Sequence, residues 1–259
     1  MTFKKFFALV AFLTVGMGAW AQNFTQYVDP YIGTGGHGHV FLGANVPYGL
    51  VQVGPTQYKR GWDWCSGYHY SDSVIIGFGQ MHLSGTGIGD LGDIALLPLT
   101  DASQRDVMFS HKGEHARPGY YSVMLKSGVK VDLTATARVA FHRYSYPADA
   151  QTAFVRLDLA QGIGWDKMTK SAFKQNSPTE VSGYRYSTGW AKDQRVYFVA
   201  QFSRPVNVAK AQGDSLAVFS TPNNDEPLLV KVGISPVSED NARANIAAEL
   251  PSWDFRGTV

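Results

Sequence analysis

The sequence predicts an all-β fold, a large antiparallel β-sandwich (a supersandwich) with a short helical segment opening near the C-terminus. Three observations carry this. Short apolar runs recur along the chain between turn residues, as strands do. Helical periodicity is almost absent before residue 238. The 27 Gly and 12 Pro are scattered throughout, which breaks long helices.

Taken in order, residues 50–53, 74–78 and 94–99 are each read as one strand, with Pro98 placing the last of these at a sheet edge. Residues 120–125 and 129–136 flank Ser127 and Gly128, which suits a hairpin. Alternation runs on from 134 to 146, and returns at 154–159 and 196–202; residues 228–234 close the series. The pattern then changes. Ser238 is suited to cap a helix over 239–249, Glu239 and Asp240 favour its first turn, and Pro251 stops it. No repeat or low-complexity segment interrupts the 259 residues.

Residues 1–21 have the form of a secretory signal. Lys4 and Lys5 precede an apolar stretch over 6–18, and Ala19-Trp20-Ala21 is a small-x-small cleavage site that puts the mature start near Gln22. The apolar stretch is short for a membrane span. Export across the inner membrane is therefore expected, to the periplasm or the cell surface. The formal charge is +2, and without Lys4 and Lys5 it is zero. A neutral chain is a poor ligand for nucleic acid or anionic lipid, so neither nucleic acid nor membrane is an expected partner. Disorder is excluded by 44% hydrophobic content, and a disulfide scaffold by the single Cys65.

Chemistry-bearing residues gather between Tyr31 and Gly92. Residues 87–92 read G-x-G-x-x-G, but an apolar strand pattern follows where a dinucleotide site needs a helix. His37 and His39 are spaced to share a strand face, and with Cys65, His69 and His82 they offer donors for a metal, though at no recognised ligand spacing. No metal site is assigned. Cys65 with His69 four residues on is a weak nucleophile pairing. Asp90 and Asp93 are read first as turn formers and second as an acid–base pair. The strongest constellation is Trp62-Asp63-Trp64-Cys65-Ser66-Gly67-Tyr68-His69-Tyr70. Its aromatics suit the apolar face of a sugar, and its polar side chains suit the hydroxyl rim.

At these residues the chain resembles the N-terminal domain of glycoside hydrolase family 92, the calcium-dependent α-mannosidases. The matching stretches are residues 27–34 (YVDPYIGT), 61–72 (GWDWCSGYHYSD), 82–87 (HLSGTG) and 90–93 (DLGD). Residues 118–121 (PGYY), 138–144 (RVAFHRY), 189–194 (GWAKDQ), 230–235 (VKVGIS) and 253–255 (WDF) follow in order. The chain departs from the pattern at three places: Gln80-Met81 before His82, Leu42 after Phe41, and Gln57 after Thr56.

The resemblance implies a β-sandwich over 22–236, a linker helix over 237–259, and then an (α/α)6 catalytic domain beyond the present sequence. It implies an inverting exo-α-mannosidase, α-1,2 by preference, acting on mannose-containing glycans. Both catalytic carboxylates and the calcium are assigned to the (α/α)6 domain, so no catalytic or metal residue is carried over here. The expected contribution of this chain is one wall of an interdomain mannose pocket. Its residues would be Gly35, Gly36, His37, Trp62, Asp63, Trp64, Cys65, His69, His82, Ser84, Thr86 and Asp90. Trp62 or Trp64 would stack on the sugar, and His69 or His82 would bind hydroxyls. A freestanding mannose-binding module is the alternative. A complete hydrolase using Asp90, Asp93 or Glu114 ranks below both.

Overall fold

The computed structural model describes residues 24–259; the secretory signal read at residues 1–21 lies outside the described residues. Sixteen strands are described, in chain order β1 (Ala44–Asn45), β2 (Gln52–Thr56), β3 (Val74–Ile75), β4 (Gly77–Gly79), β5 (Ala95–Leu99), β6 (Val107–Arg117), β7 (Tyr120–Leu125) and β8 (Lys130–Ala135). These are followed by β9 (Val139–Ser145), β10 (Thr152–Asp158), β11 (Lys167–Ser177), β12 (Glu180–Thr188), β13 (Gln194–Phe202), β14 (Asn207–Gln212), β15 (Leu216–Pro222) and β16 (Leu228–Ser235). Two helices close the chain, α1 (Glu239–Glu249) and α2 (Phe255–Thr258).

The strands form two antiparallel sheets. One has the order β1-β2-β4-β5-β10-β15-β14 and the other β11-β12-β13-β16-β9-β8-β7-β6-β3. The all-β sandwich is thus as the sequence predicts. Alternation places Ala140 and Tyr144 of β9, with Leu228, Val230, Val232 and Ile234 of β16, in the core between the sheets. The opposite face of β9 sends Val139 and Phe141 outward, where Ala242, Ile246, Leu250 and Phe255 cover them. Gly233 permits this close approach: a Cβ there would lie 2.4 Å from the Ala242 carbonyl oxygen. Ser238 caps α1 as its sequence predicts, with Oγ accepting from the Asn241 N–H at 3.1 Å.

Three strand readings need correction. The run 74–78 is two strands: β3 pairs with β6 in one sheet, while β4 pairs with β2 and β5 in the other. The alternation over 134–146 breaks at a turn, closed by Thr136 N–H donating to the Val139 carbonyl at 2.9 Å. Glu249 of α1 braces that turn, accepting from Thr136 Oγ1 at 2.7 Å and from the Arg138 N–H at 2.9 Å. Finally, β5 is interior rather than at an edge. Pro98 pairs with Val155 of β10, and the ladder to β4 is confined to Phe78 and Leu96, so no bond to β4 is lost at the missing N–H.

One buried cation links the layers. Arg185 of β12 is 1% exposed. Its Nη1 donates to Asp93 Oδ1 at 2.5 Å, its Nη2 to Asp166, and its Nε to the Leu159 carbonyl at 2.9 Å. Asp93 precedes β5 in the opposite sheet, and Gln194 Nε2 donates to its other oxygen at 2.9 Å. Burial raises the Asp93 carboxyl above its ordinary value, against the pull of Arg185.

Replacing Arg185 with alanine leaves two buried carboxylates uncompensated and is expected to cost about 3–5 kcal/mol. Ser238→Ala removes one cap bond and is expected to cost about 1 kcal/mol. Urea unfolding midpoints of the two variants check both values and their order.

Candidate functional site

Three loops meet around Trp62: residues 33–40, residues 61–72 and residues 82–93. A 3-10 turn over Trp62–Trp64 carries the central side chains. Trp62 is 54% exposed, and its Nε1 donates to the Gly87 carbonyl at 2.8 Å. Its ring meets His39 edge-on, with centroids 4.2 Å apart. Trp62 therefore ties the first loop to the third while leaving much of its surface in solvent.

Asp63 faces the first loop. Its Oδ1 lies 2.6 Å from His37 Nδ1 and 3.1 Å from His39 Nε2. The His37 hydrogen bond, helped by His39 against slight desolvation, holds the Asp63 carboxyl below the ordinary carboxylate range. The two histidines do not lie on a strand face, as their spacing suggested. They sit in a loop closed by Gly38 N–H donating to Gly35 O at 3.2 Å and Val40 N–H donating to Gly33 O at 3.1 Å. Gly36 takes φ +56°, which glycine adopts freely.

Trp64 turns the other way. It stacks on His69 at 4.3 Å and donates from Nε1 to Asp72 Oδ2 at 3.1 Å. His69 is buried, with Nε2 at 3.2 Å from the Gly36 carbonyl and Nδ1 at 2.8 Å from Ser71 Oγ. His82 is buried as well: Nδ1 donates to the Gln52 carbonyl at 2.8 Å and Nε2 accepts from Thr56 Oγ1 at 3.1 Å. Desolvation pushes the His82 imidazole down to about 4, so it is neutral at pH 7. Both nitrogens of His69 and of His82 are thus engaged inside the fold, which leaves neither ring presented to a sugar hydroxyl. Cys65 is buried too, and desolvation raises its thiol, opposite to what a nucleophile needs.

Ser84 and Thr86 are exposed on the third loop, where Ser84 Oγ accepts from the Phe41 N–H at 3.2 Å and Thr86 Oγ1 accepts from the Ile88 N–H at 3.2 Å. Asp90 is 4% exposed, its oxygens accepting from the Leu91 N–H at 3.0 Å and the Trp190 N–H at 2.8 Å. Asp93 is held by Arg185 and Gln194. Glu114 of β6 accepts from Tyr121 Oη at 2.7 Å and Tyr68 Oη at 2.9 Å, with His111 Nδ1 at 2.7 Å. All three carboxylates brace the fold, and none is poised as half of an acid–base pair. The G-x-G-x-x-G segment is a loop leading into β5, with no helix to receive a pyrophosphate.

Sequence reasoning did not place three residues in the site. His39, which its sequence context offers only as a metal donor, joins Asp63 and Trp62. Trp190, 67% exposed, borders a cleft of about 330 Å³ lined by Leu83, Asp90, Leu91, Ala191 and Gln194. Trp165 packs on Gly89, where a Cβ would lie 2.7 Å from the indole ring, and Lys59 Nζ lies 5.2 Å from its centre. The segment around Trp165 carries no sequence signal, while Trp190 lies within a matching stretch.

Among the described residues, His37, His39 and Asp63 form one grouping of three potential metal donors. Two imidazoles and one carboxylate do not suit calcium, which takes six to eight oxygen ligands. Nor is any described helix long and apolar enough to cross a membrane.

Residues 27–235 match the Glycosyl hydrolase family 92 N-terminal domain. Among solved structures, the family GH92 alpha-mannosidase BT3965 from Bacteroides thetaiotaomicron, in complex with mannoimidazole, superposes with a TM-score of 0.78 and 31% identity, over 86% of this chain and 34% of that one. The family GH92 inverting mannosidase BT2199 from the same organism gives a TM-score of 0.70 and 27% identity, over 88% and 33%. A protein of Arthroderma benhamiae described as an uncharacterized secreted glycosidase is 25% identical, over 89% of this chain and 36% of its own length. The chain spans about a third of the length of each of these relatives.

Stability is expected to fall as pH drops from about 6.5 toward 4. His82 is depressed to about 4 and His142 to about 3, so the unfolded chain takes up protons that the native chain refuses. Melting temperature against pH checks this, and His82→Asn should flatten the slope over that range.

Proposed function

The chain belongs to the glycosyl hydrolase family 92 N-terminal domain family, and from that membership we propose that it is the non-catalytic β-sandwich of an exported, inverting exo-α-mannosidase. Its own task is to supply one wall of a mannose pocket. The carrying observation is the exposed Trp62 ring beside the Asp63 carboxylate and the His37 imidazole, whose side chain is 80% exposed. An indole face shields the apolar face of a pyranose, and the adjoining charged and polar groups accept or donate to its hydroxyls. The substrate class is an α-linked mannoside, with α-1,2 linkage preferred.

Inversion requires a general acid and a general base about 6.5–9.5 Å apart, with a water between them. Asp90, Asp93 and Glu114 are each consumed by internal hydrogen bonds, which supports placing that pair on an (α/α)6 domain that follows this one. Calcium belongs with it in this reading, because the histidine-rich donors here do not fit that ion. The chain resembles a glycosidase described as secreted, which supports export, to the periplasm or the cell surface. A freestanding mannose-binding module is the second reading. It is favoured by one feature: Trp62, Asp63 and His37 all come from this chain and need no other part to hold their positions.

Incubating the purified chain with α-1,2-mannobiose, with calcium and separately with a chelator, is expected to release no mannose in either case. Release that depends on calcium would overturn the division of labour. In the assembled two-domain enzyme, Trp62→Ala is expected to raise KM about tenfold, equivalent to about 1.4 kcal/mol of binding. Sub-millimolar mannose affinity in the isolated chain would favour the binding module instead.

A further inference from the structure

We propose that His37, His39 and Asp63 form a site for a divalent transition cation of the zinc class, distinct from the calcium of the preceding reading. His37 Nδ1, His39 Nε2 and an Asp63 carboxylate oxygen lie within 4.8 Å of one another. Both ring nitrogens point at the same Asp63 oxygen, from 2.6 and 3.1 Å. Ligands around a tetrahedral zinc at about 2.0–2.1 Å stand about 3.3 Å apart, so the His39 contact needs to open by about 0.2 Å and the His37 contact by about 0.7 Å. His37 can supply that movement, since its side chain is 80% exposed.

His39, by contrast, is held in place by the fold. His39 is buried and edge-on to Trp62, and its carbonyl accepts from the Gly85 N–H at 2.7 Å. Its backbone sits at φ +56°, a conformation that costs a non-glycine residue about 1 kcal/mol or more and persists only where the surroundings impose it. Gly38 beside it has no room for a side chain, since a Cβ would lie 2.1 Å from the Gly33 carbonyl oxygen. The loop is thus built to aim the His39 ring at Asp63.

The chemistry of the donor set selects the cation. Two neutral imidazoles and one carboxylate suit zinc and its first-row neighbours, whereas calcium and magnesium call for oxygen. On binding, each imidazole presents its lone pair and keeps its proton on the opposite ring nitrogen. Three protein ligands leave a fourth position, which opens to solvent on the His37 side and takes water or a hydroxyl oxygen. The cation cross-links the loop over 33–40 to the turn that carries Trp62.

Titration of the untagged chain with Co²⁺, followed by visible absorption, tests the site. One equivalent should give the intense bands of a tetrahedral centre, Zn²⁺ should abolish them, and about 10 mM Ca²⁺ should not. His37→Ala and Asp63→Asn should each weaken binding about 100-fold, at the upper end of losses seen even for outer-sphere partners. His115→Ala, an exposed histidine on β6, should change nothing. The absence of tetrahedral bands, or binding indifferent to His37→Ala, would overturn the proposal. His37→Ala decides the matter if Asp63→Asn fails to fold, because an exposed side chain adds little to stability. Mannose release plays no part in the readout, so this proposal and the functional reading fail separately.

Discussion

The loop end of the sandwich depends on Arg185. A guanidinium in the interior has to be compensated, and the compensation comes from chain segments far apart in sequence. Asp93 brings the entry to β5, Asp166 brings the segment before β11, and the Leu159 carbonyl brings the end of β10. Gln194 completes Asp93, and Asp90 holds the backbone beside Trp190. Backbone bonds from Ile163 to Leu91 and from Trp165 to Gly89 close the arrangement. Charge neutralisation inside the protein therefore fixes where the exposed tryptophans stand, although none of those rings touches the guanidinium.

The same economy governs the carboxylates. In isolation, Asp90, Asp93 and Glu114 have the residue types of a hydrolase. Their surroundings give them donors on every side: backbone N–H groups at Asp90, a guanidinium and an amide at Asp93, two tyrosine hydroxyls and an imidazole at Glu114. A carboxylate so occupied orders loops and is poorly placed to exchange protons with a substrate. Asp63 differs. Its partners are two histidines, His39 buried and His37 largely in solvent, so its environment can be remade by a ligand from the His37 side.

What was legible in the sequence was local. The helix over 239–249 announced itself through Ser238, the acidic first turn and Pro251, because capping is settled within a few residues. Several strands with one face in the core, β9, β10, β13 and β16 among them, were visible by alternation. Six strands, β1, β6, β11, β12, β14 and β15, were not foreseen. Two of them, β11 and β14, are the outer strands of their sheets and bury little, so they carry no apolar signal. The aromatic segment at 62–70 was found by composition alone. Composition could not divide it: Trp62 and Asp63 face the loops, while Trp64, Cys65 and His69 turn inward. Nor could it join His39 to Asp63, 24 positions apart, or Asp90 to Trp190, 100 positions apart, since those contacts come from the packing of the two sheets.

The run from Val74 to Gly79 enters one sheet as β3 and leaves in the other as β4, with Ile76 alone between them. Ile76 is itself buried, and its N–H donates to the Thr56 carbonyl at the end of β2. A one-residue bridge has no slack. Sliding of one sheet across the other would have to be absorbed by a single pair of dihedral angles, so the two layers shear as one body. Whatever meets the loops at this end meets them on a platform whose two layers move together, so adjustment to a ligand falls to the loops and their side chains.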